Sequence, residues 1–177
     1  MKTLELKDIC GYLPYGVKVY LDGKSYTVTK WQNGSNNNML AQQDNGTSSL
    51  IFNSGRGDAK FILRPMSNLT EEIHQNGYNN SKPFIPIVEL ACMLEPQGYW
   101  RVYGTGAADF GEGGESCIAH LVYDEDHFVY TVDDEYDTFN SVAIYDKLNA
   151  WMFDYRGLIS AGLAIDVNTL PENPYER

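Results

Sequence analysis

The stretch Ser141–Asp166, SVAIYDKLNAWMFDYRGLISAGLAID, decides how this chain is read. Apolar side chains at Tyr145, Leu148, Trp151, Met152 and Tyr155 recur at helical spacing, which puts them on one face. Gly157 interrupts that face, Leu158 and Ile159 continue it, and Gly162 stands where a C′ glycine ends a helix. The spacing predicts a pair of packed helices that close a core. Nothing in the stretch is chemistry.

Working outward, the chain of 177 residues has a hydrophobic fraction of 43% and an aromatic fraction of 13%. That is ample for a buried core and suits one compact domain over residues 1–177. Thirteen Tyr and seven Phe favour half-buried pleated surfaces. The expected class is α+β: an antiparallel meander or small, partly closed barrel, packed against the C-terminal helices.

Three cysteines (Cys10, Cys92, Cys117) are odd in number and form no CxxC, so neither a disulfide framework nor a cysteine-based zinc site is expected. Buried free thiols are the expectation. The opening MKTLELKDIC has no long apolar run after its lysine, hence no secretory signal. No window approaches the roughly 20 apolar residues of a membrane helix. The reading is cytoplasmic, without a membrane partner.

The net charge of −11 is unevenly spread. Residues 1–64 hold eight Lys/Arg against five Asp/Glu, a balance of +3, and residues 65–177 hold five against nineteen, a balance of −14. Residues 104–140 contain ten acids and no Lys or Arg. Such a field repels nucleic-acid phosphates and attracts basic protein surfaces.

Along the chain, Thr3 can cap a short helix over Leu4–Tyr12 that Pro14 and Gly16 end. Val17–Leu21 and the segment from Tyr26 read as a hairpin around Asp22-Gly23. Asn33–Asn38 reads as a loop. Met39–Gln42, Ser49–Phe52 and Lys60–Leu63 read as further strands, separated by turns at Asn45-Gly46 and Gly55-Arg56-Gly57. Ser67–His74 reads as a helix with Ser67 as N-cap, and Pro86 as N1 of a helix to about Leu94. Tyr99–Tyr103 is a strand, Gly104–Ser116 a glycine-rich loop, and Ile118–Tyr123 with Phe128–Val132 a second hairpin.

The loop GTGAADFGEGGE lacks the register of a phosphate cradle, and Asp109, Glu112 and Glu115 would repel phosphate. The acids at 124–126 and 133–137 are the right type for a hard cation, but an EF-hand frame from Asp133 puts Thr138 and Ile144 where Gly and Glu belong. They read as a solvated surface, and no metal or cofactor is expected. His74, His120 and His127 fall in no ligand spacing, and GxSxG is absent. His120 reads as a half-buried strand residue, on the opposite face from Cys117. Arg56-Gly57-Asp58 is a turn, and Tyr12, Tyr15, Trp31 and Trp100 divide between core and an exposed aromatic surface.

GYLPYGVKV (11–19), ILRPMSNLTEEIHQNG (62–77) and WMFDYRGLISAGLAIDVNTL (151–170) resemble a group of small uncharacterised proteins carried by phages and prophages of gut bacteria. Those show YLPYGLK, RPLSDLTxEIxxNG and WHFDxxGLIxxGLAIDINTL in the same order. This chain departs at Met152, where the others often carry histidine. The resemblance implies a phage origin and the cytoplasm of a bacterial host, but no activity.

Together these readings lead to a non-enzymatic accessory protein that binds a host protein with a basic surface, or itself, through its acidic half. Trp100, Arg101, Asp124, Asp126, Asp133, Asp134, Arg64 and Arg156 are the candidate binding residues. Two alternatives stand beside it. A small-ligand, nucleotide-sequestering protein acting against host defence would need Arg64, Arg101 and Arg156 to converge. A hydrolase would need clustered carboxylates, with Asp124 and Asp126 the first to test.

Overall fold

A computed structural model describes residues 4–32, 38–43, 49–53, 59–94, 99–103, 107–111, 119–124, 126–133 and 135–176. The fold is α+β. In chain order the elements are α1 (Leu6–Ile9), β1 (Lys18–Leu21), β2 (Lys24–Gln32), β3 (Asn38–Gln43), β4 (Ser49–Asn53), β5 (Lys60–Leu63), α2 (Pro86–Cys92), β6 (Tyr99–Tyr103), β7 (Ala107–Gly111), β8 (Ala119–Asp124), β9 (His127–Val132), β10 (Glu135–Tyr136), α3 (Ser141–Ala150) and β11 (Ala164–Asp166). They divide into two compact units, Met1–Pro65 with Leu148–Pro174 and Met66–Lys147 with Tyr175–Arg177.

The first unit is organised by a mixed sheet of order β11-β5-β1-β2-β3-β4. Leu21 pairs with Lys24 across Asp22 (φ 50) and Gly23 (φ 79), the two left-handed residues that a two-residue hairpin turn requires. Val17, Val19, Tyr26 and Val28 alternate into the core. The expected strands at 39–42, 49–52 and 60–63 are present. Of the loop expected over 33–38, Asn38 already belongs to β3 and 33–37 lie outside the described residues, as do the turns at Asn45-Gly46 and 55–57. β1 through β4 form the expected meander. The sheet does not close into a barrel, and β11 runs parallel to β5. Near the N-terminus, α1 is shorter than expected. Thr3 lies outside the described residues, and Glu5 precedes the helix, its N–H donating to Asp8 Oδ2 at 2.9 Å.

The C-terminal helix pair is replaced by one helix, a turn and a strand. α3 stops at Ala150 because Met152 turns left-handed (φ 63). The Met152 N–H donates to the Asn149 carbonyl (3.1 Å) and the Phe153 N–H to that of Leu148 (2.9 Å), the hydrogen-bond pair of a Schellman cap. That conformation costs a non-glycine residue about 1–2 kcal/mol. It is sustained because Trp151, Met152 and Phe153 are all buried in the core. The apolar spacing through Tyr155 is therefore core placement after the helix, not a continued helix face. Gly162 (φ 72) does act as a C′ glycine, donating to Ile159 O (2.9 Å) while Leu163 donates to Leu158 O (2.8 Å). What it closes is a single turn, after which Ala164–Asp166 pairs with Phe61–Leu63 as β11. Between these caps lies Asp154, buried, its Oδ1 and Oδ2 accepting from the N–H groups of Leu158 (2.8 Å) and Ile159 (2.7 Å).

The second unit holds an antiparallel meander of order β10-β9-β8-β7-β6. β7 lies inside the segment expected to be a loop. Its five residues pair on one side with β6 and on the other with β8, and the surrounding glycines had hidden the strand pattern. The helix expected over Ser67–His74 is a 3-10 turn at Met66–Thr70, after which the chain extends. Asn68 donates to Glu71 Oε2 (3.2 Å), and Ile73 exchanges both backbone hydrogen bonds with Phe84 (2.9 and 3.0 Å). Burial of Ile73 and Phe84 outweighs the local helical preference. α2 starts with Pro86 at its first position, as expected. Cys10 and Cys92 are free and exposed rather than buried, because each lies on the water-facing side of a short helix end; Cys117 lies outside the described residues. No described helix is long and apolar enough to cross a membrane.

Two outcomes are expected. Deleting a buried Met side chain costs about 2–5 kcal/mol, and relief of the left-handed conformation returns about 1–2. Met152→Gly is thus destabilising by about 2 kcal/mol, measurable as a lower urea midpoint. Burial pushes the Asp154 carboxyl up from 3.8, against the N–H donors that favour its ionised form. The folded chain then holds the proton more tightly than the unfolded one, so this group's stabilising contribution is complete below 3.8 and is lost as pH rises through the raised folded value. The stability difference between wild type and Asp154→Asn should shift in favour of wild type as pH falls through that window. A pH-independent difference would contradict the assignment.

Candidate functional site

In the second unit, side-chain alternation separates the sheet into two faces. Trp100, Ala108, Ala119, Leu121, Phe128 and Tyr130 are all buried and share one face by register. Tyr145 of α3 meets Phe128 on that side, ring centroids 6.2 Å apart, and Phe139 meets Tyr130 at 6.4 Å. The opposite face remains partly open to water.

Across that open face runs a polar row, one residue per strand. Arg101 on β6 pairs with Asp109 on β7, Asp109 with His120 on β8, His120 with Thr131 on β9, and Thr131 with Tyr136 on β10. Directly opposed residues hold their Cβ atoms about 4.5–5.5 Å apart. His120 Nδ1 lies 2.7 Å from Asp109 Oδ1, with the two side chains 34% and 21% exposed. In the neutral ring the carboxylate fixes the proton on Nδ1, so Nε2 keeps its lone pair. Arg101 and Tyr136 are exposed at the two ends, Tyr136 by 85%.

The acids around this face sit on the surface, not across from one another. Asp124 ends β8 opposite His127; Asp126 follows in the turn (φ 66), where the Tyr123 hydroxyl approaches at 3.5 Å. Asp133 (φ 50) follows β9 at its other end, and Glu135 and Asp137 come next. With about 3.4 Å per residue, the length of β9 separates Asp124 and Asp126 from Asp133 by roughly 17 Å. Glu135, paired with Val132, and Asp137, whose N–H donates to Tyr130 O, run back beside the strand. All five are exposed, and none is ion-paired to a described residue. No grouping of three or more His, Cys, Asp or Glu fit to hold a metal occurs among the described residues.

Of the candidate binding residues, Arg101 is brought beside Asp109 and His120 on the open face. Asp124, Asp126 and Asp133 line its ends, and Asp134 lies outside the described residues. Trp100 belongs to the core, 8% exposed, because strand alternation points it away from Arg101. Arg64 is also buried, 2% exposed, its Nε donating to the Trp151 carbonyl (3.2 Å), so it is no surface ligand for an anion. Arg156 is exposed in the first unit, its guanidinium 5.1 Å from the Tyr155 ring centre and its Nε donating to the Tyr155 hydroxyl (3.3 Å), which donates to Asn149 Oδ1 (3.0 Å). Tyr12 is buried and Tyr15 is 45% exposed.

Asp109 and His120 are what sequence reasoning missed as a pair. The available signal was the alternation of Ala107–Phe110 against Ala119–Val122, which sets the two in register once a strand is admitted between the glycines. No family model, curated protein or solved structure matches this chain.

As a purely structural contact, a cross-strand pair is worth about 0.2–1 kcal/mol. A double-mutant cycle of Asp109→Ala and His120→Ala in urea should return a coupling energy inside that range. A much larger value would mean the pair is needed for the fold itself.

Proposed function

We propose that this chain is a non-enzymatic accessory protein, phage-derived as its resemblance implies, that binds a host protein carrying a basic surface. The observation behind the reading is the set of five exposed carboxylates, Asp124, Asp126, Asp133, Glu135 and Asp137, none ion-paired among the described residues. An exposed acid without a cationic neighbour projects its field into solvent, where it speeds encounter with basic surfaces and repels acidic ones. Tyr136 stands between Glu135 and Asp137, 85% exposed, an aromatic of the kind that anchors interfaces when a partner buries it. The same sign of charge on a second copy opposes self-assembly through this patch, which favours a different, basic partner.

Affinity capture with wild type and with Asp124→Asn/Asp126→Asn/Asp133→Asn/Glu135→Gln tests this. The expected result is a basic protein held by the wild type, released as ionic strength nears about 1 M, where the Debye length falls to about 3 Å. The neutralised variant should retain at least about tenfold less, a loss of about 1.4 kcal/mol. Equal retention by both forms would remove the acidic surface from the account.

A further inference from the structure

The open face carries more than surface charge. Resting on the reading above, we infer that the face of the β6–β10 meander is where the partner docks, and that His120 Nε2, held as an acceptor by Asp109, receives a Lys or Arg side chain of a basic segment laid across β8 to β10. Four observations combine.

The first is the hydrogen bond itself. At 2.7 Å, Asp109 Oδ1 accepts a hydrogen bond from Nδ1–H of the neutral ring and fixes its orientation. Nε2 then presents a lone pair, which a cationic N–H donor satisfies with a charge-assisted bond. The second is register. Thr131 and Tyr136 continue the row from His120 toward β10, adding hydroxyl groups that can accept further N–H donors.

The third is charge complementarity. Asp124 and Asp126 lie at one end of β9 and Asp133 at the other, so a basic segment crossing β8 to β10 is flanked by acids on both sides. Glu135, paired with Val132, and Asp137, whose N–H donates to Tyr130 O, lie beside β9. The fourth is Arg101, exposed at the far edge of the same face. It repels a cationic segment there, confining it to the β8–β10 side. An element that penalises the wrong placement is a common source of specificity.

The test uses the full chain and a fluorescein-labelled ten-residue arginine peptide, followed by anisotropy at low salt. His120→Phe removes the acceptor and should weaken binding about tenfold, the scale of one hydrogen bond to a charged group. His120→Gln, whose side-chain oxygen accepts, should stay within about threefold of wild type. Asp109→Ala should weaken binding while Asp109→Asn, which still accepts from Nδ1, restores most of it. That rescue separates a positioning role from mere support of the strand pair. Arg101→Gln should tighten binding about threefold, since it removes a like charge.

If the four-carboxylate variant loses the peptide but His120→Phe and Arg101→Gln leave binding unchanged, the docking face is wrong while the basic-partner reading stands. If wild type does not bind the peptide at all, both fail.

Discussion

Everything in the first unit depends on the chain's return to strand β5. Lys60–Leu63 lies between β1, which precedes it, and β11, which arrives about a hundred residues later. The join continues past the strand: Arg64 donates its N–H to Met152 O (2.7 Å), and Asp154 donates to Arg64 O (2.8 Å). The Tyr12 hydroxyl adds a bond to Phe153 O at 2.7 Å. Phe61, Ile62, Leu63, Trp151, Met152 and Phe153 are essentially fully buried there. Loop-closure entropy grows only with the logarithm of loop length, so the chain can carry a whole second unit between Pro65 and Leu148 at small further cost.

The same closure explains the local irregularities of the C-terminal segment. A left-handed methionine and a buried carboxylate would each be unfavourable in isolation. Here the Met152 conformation directs Phe153 and Asp154 back toward Arg64, and Asp154 satisfies two N–H groups of the following turn. Backbone strain of this kind persists when the surrounding core over-determines it. In this unit it supports packing.

The second unit divides its labour by strand alternation. One face of the meander is apolar and buried, and the other is a row of Arg, Asp, His, Thr and Tyr. The acids gather at strand ends and turns, where Asp126 and Asp133 adopt positive φ.

The sequence by itself determined the elements whose signals are local. Asp22-Gly23 specifies its hairpin, Pro86 starts α2, Gly162 caps a turn, and the large aromatics Tyr99 and Trp100 mark Tyr99–Tyr103 as a strand. It also determined the acidity of residues 104–140, which is composition. Tertiary structure alone decided the fate of Trp151–Asp166, since an apolar run spaced like a helix buries equally well as a capped turn and a parallel strand when β5 offers a free edge. It likewise decided that Arg64 and Trp100 are core, and that Asp109 meets His120. Those outcomes depend on pairing between segments far apart in the chain, and no local spacing encodes which strand will be the neighbour.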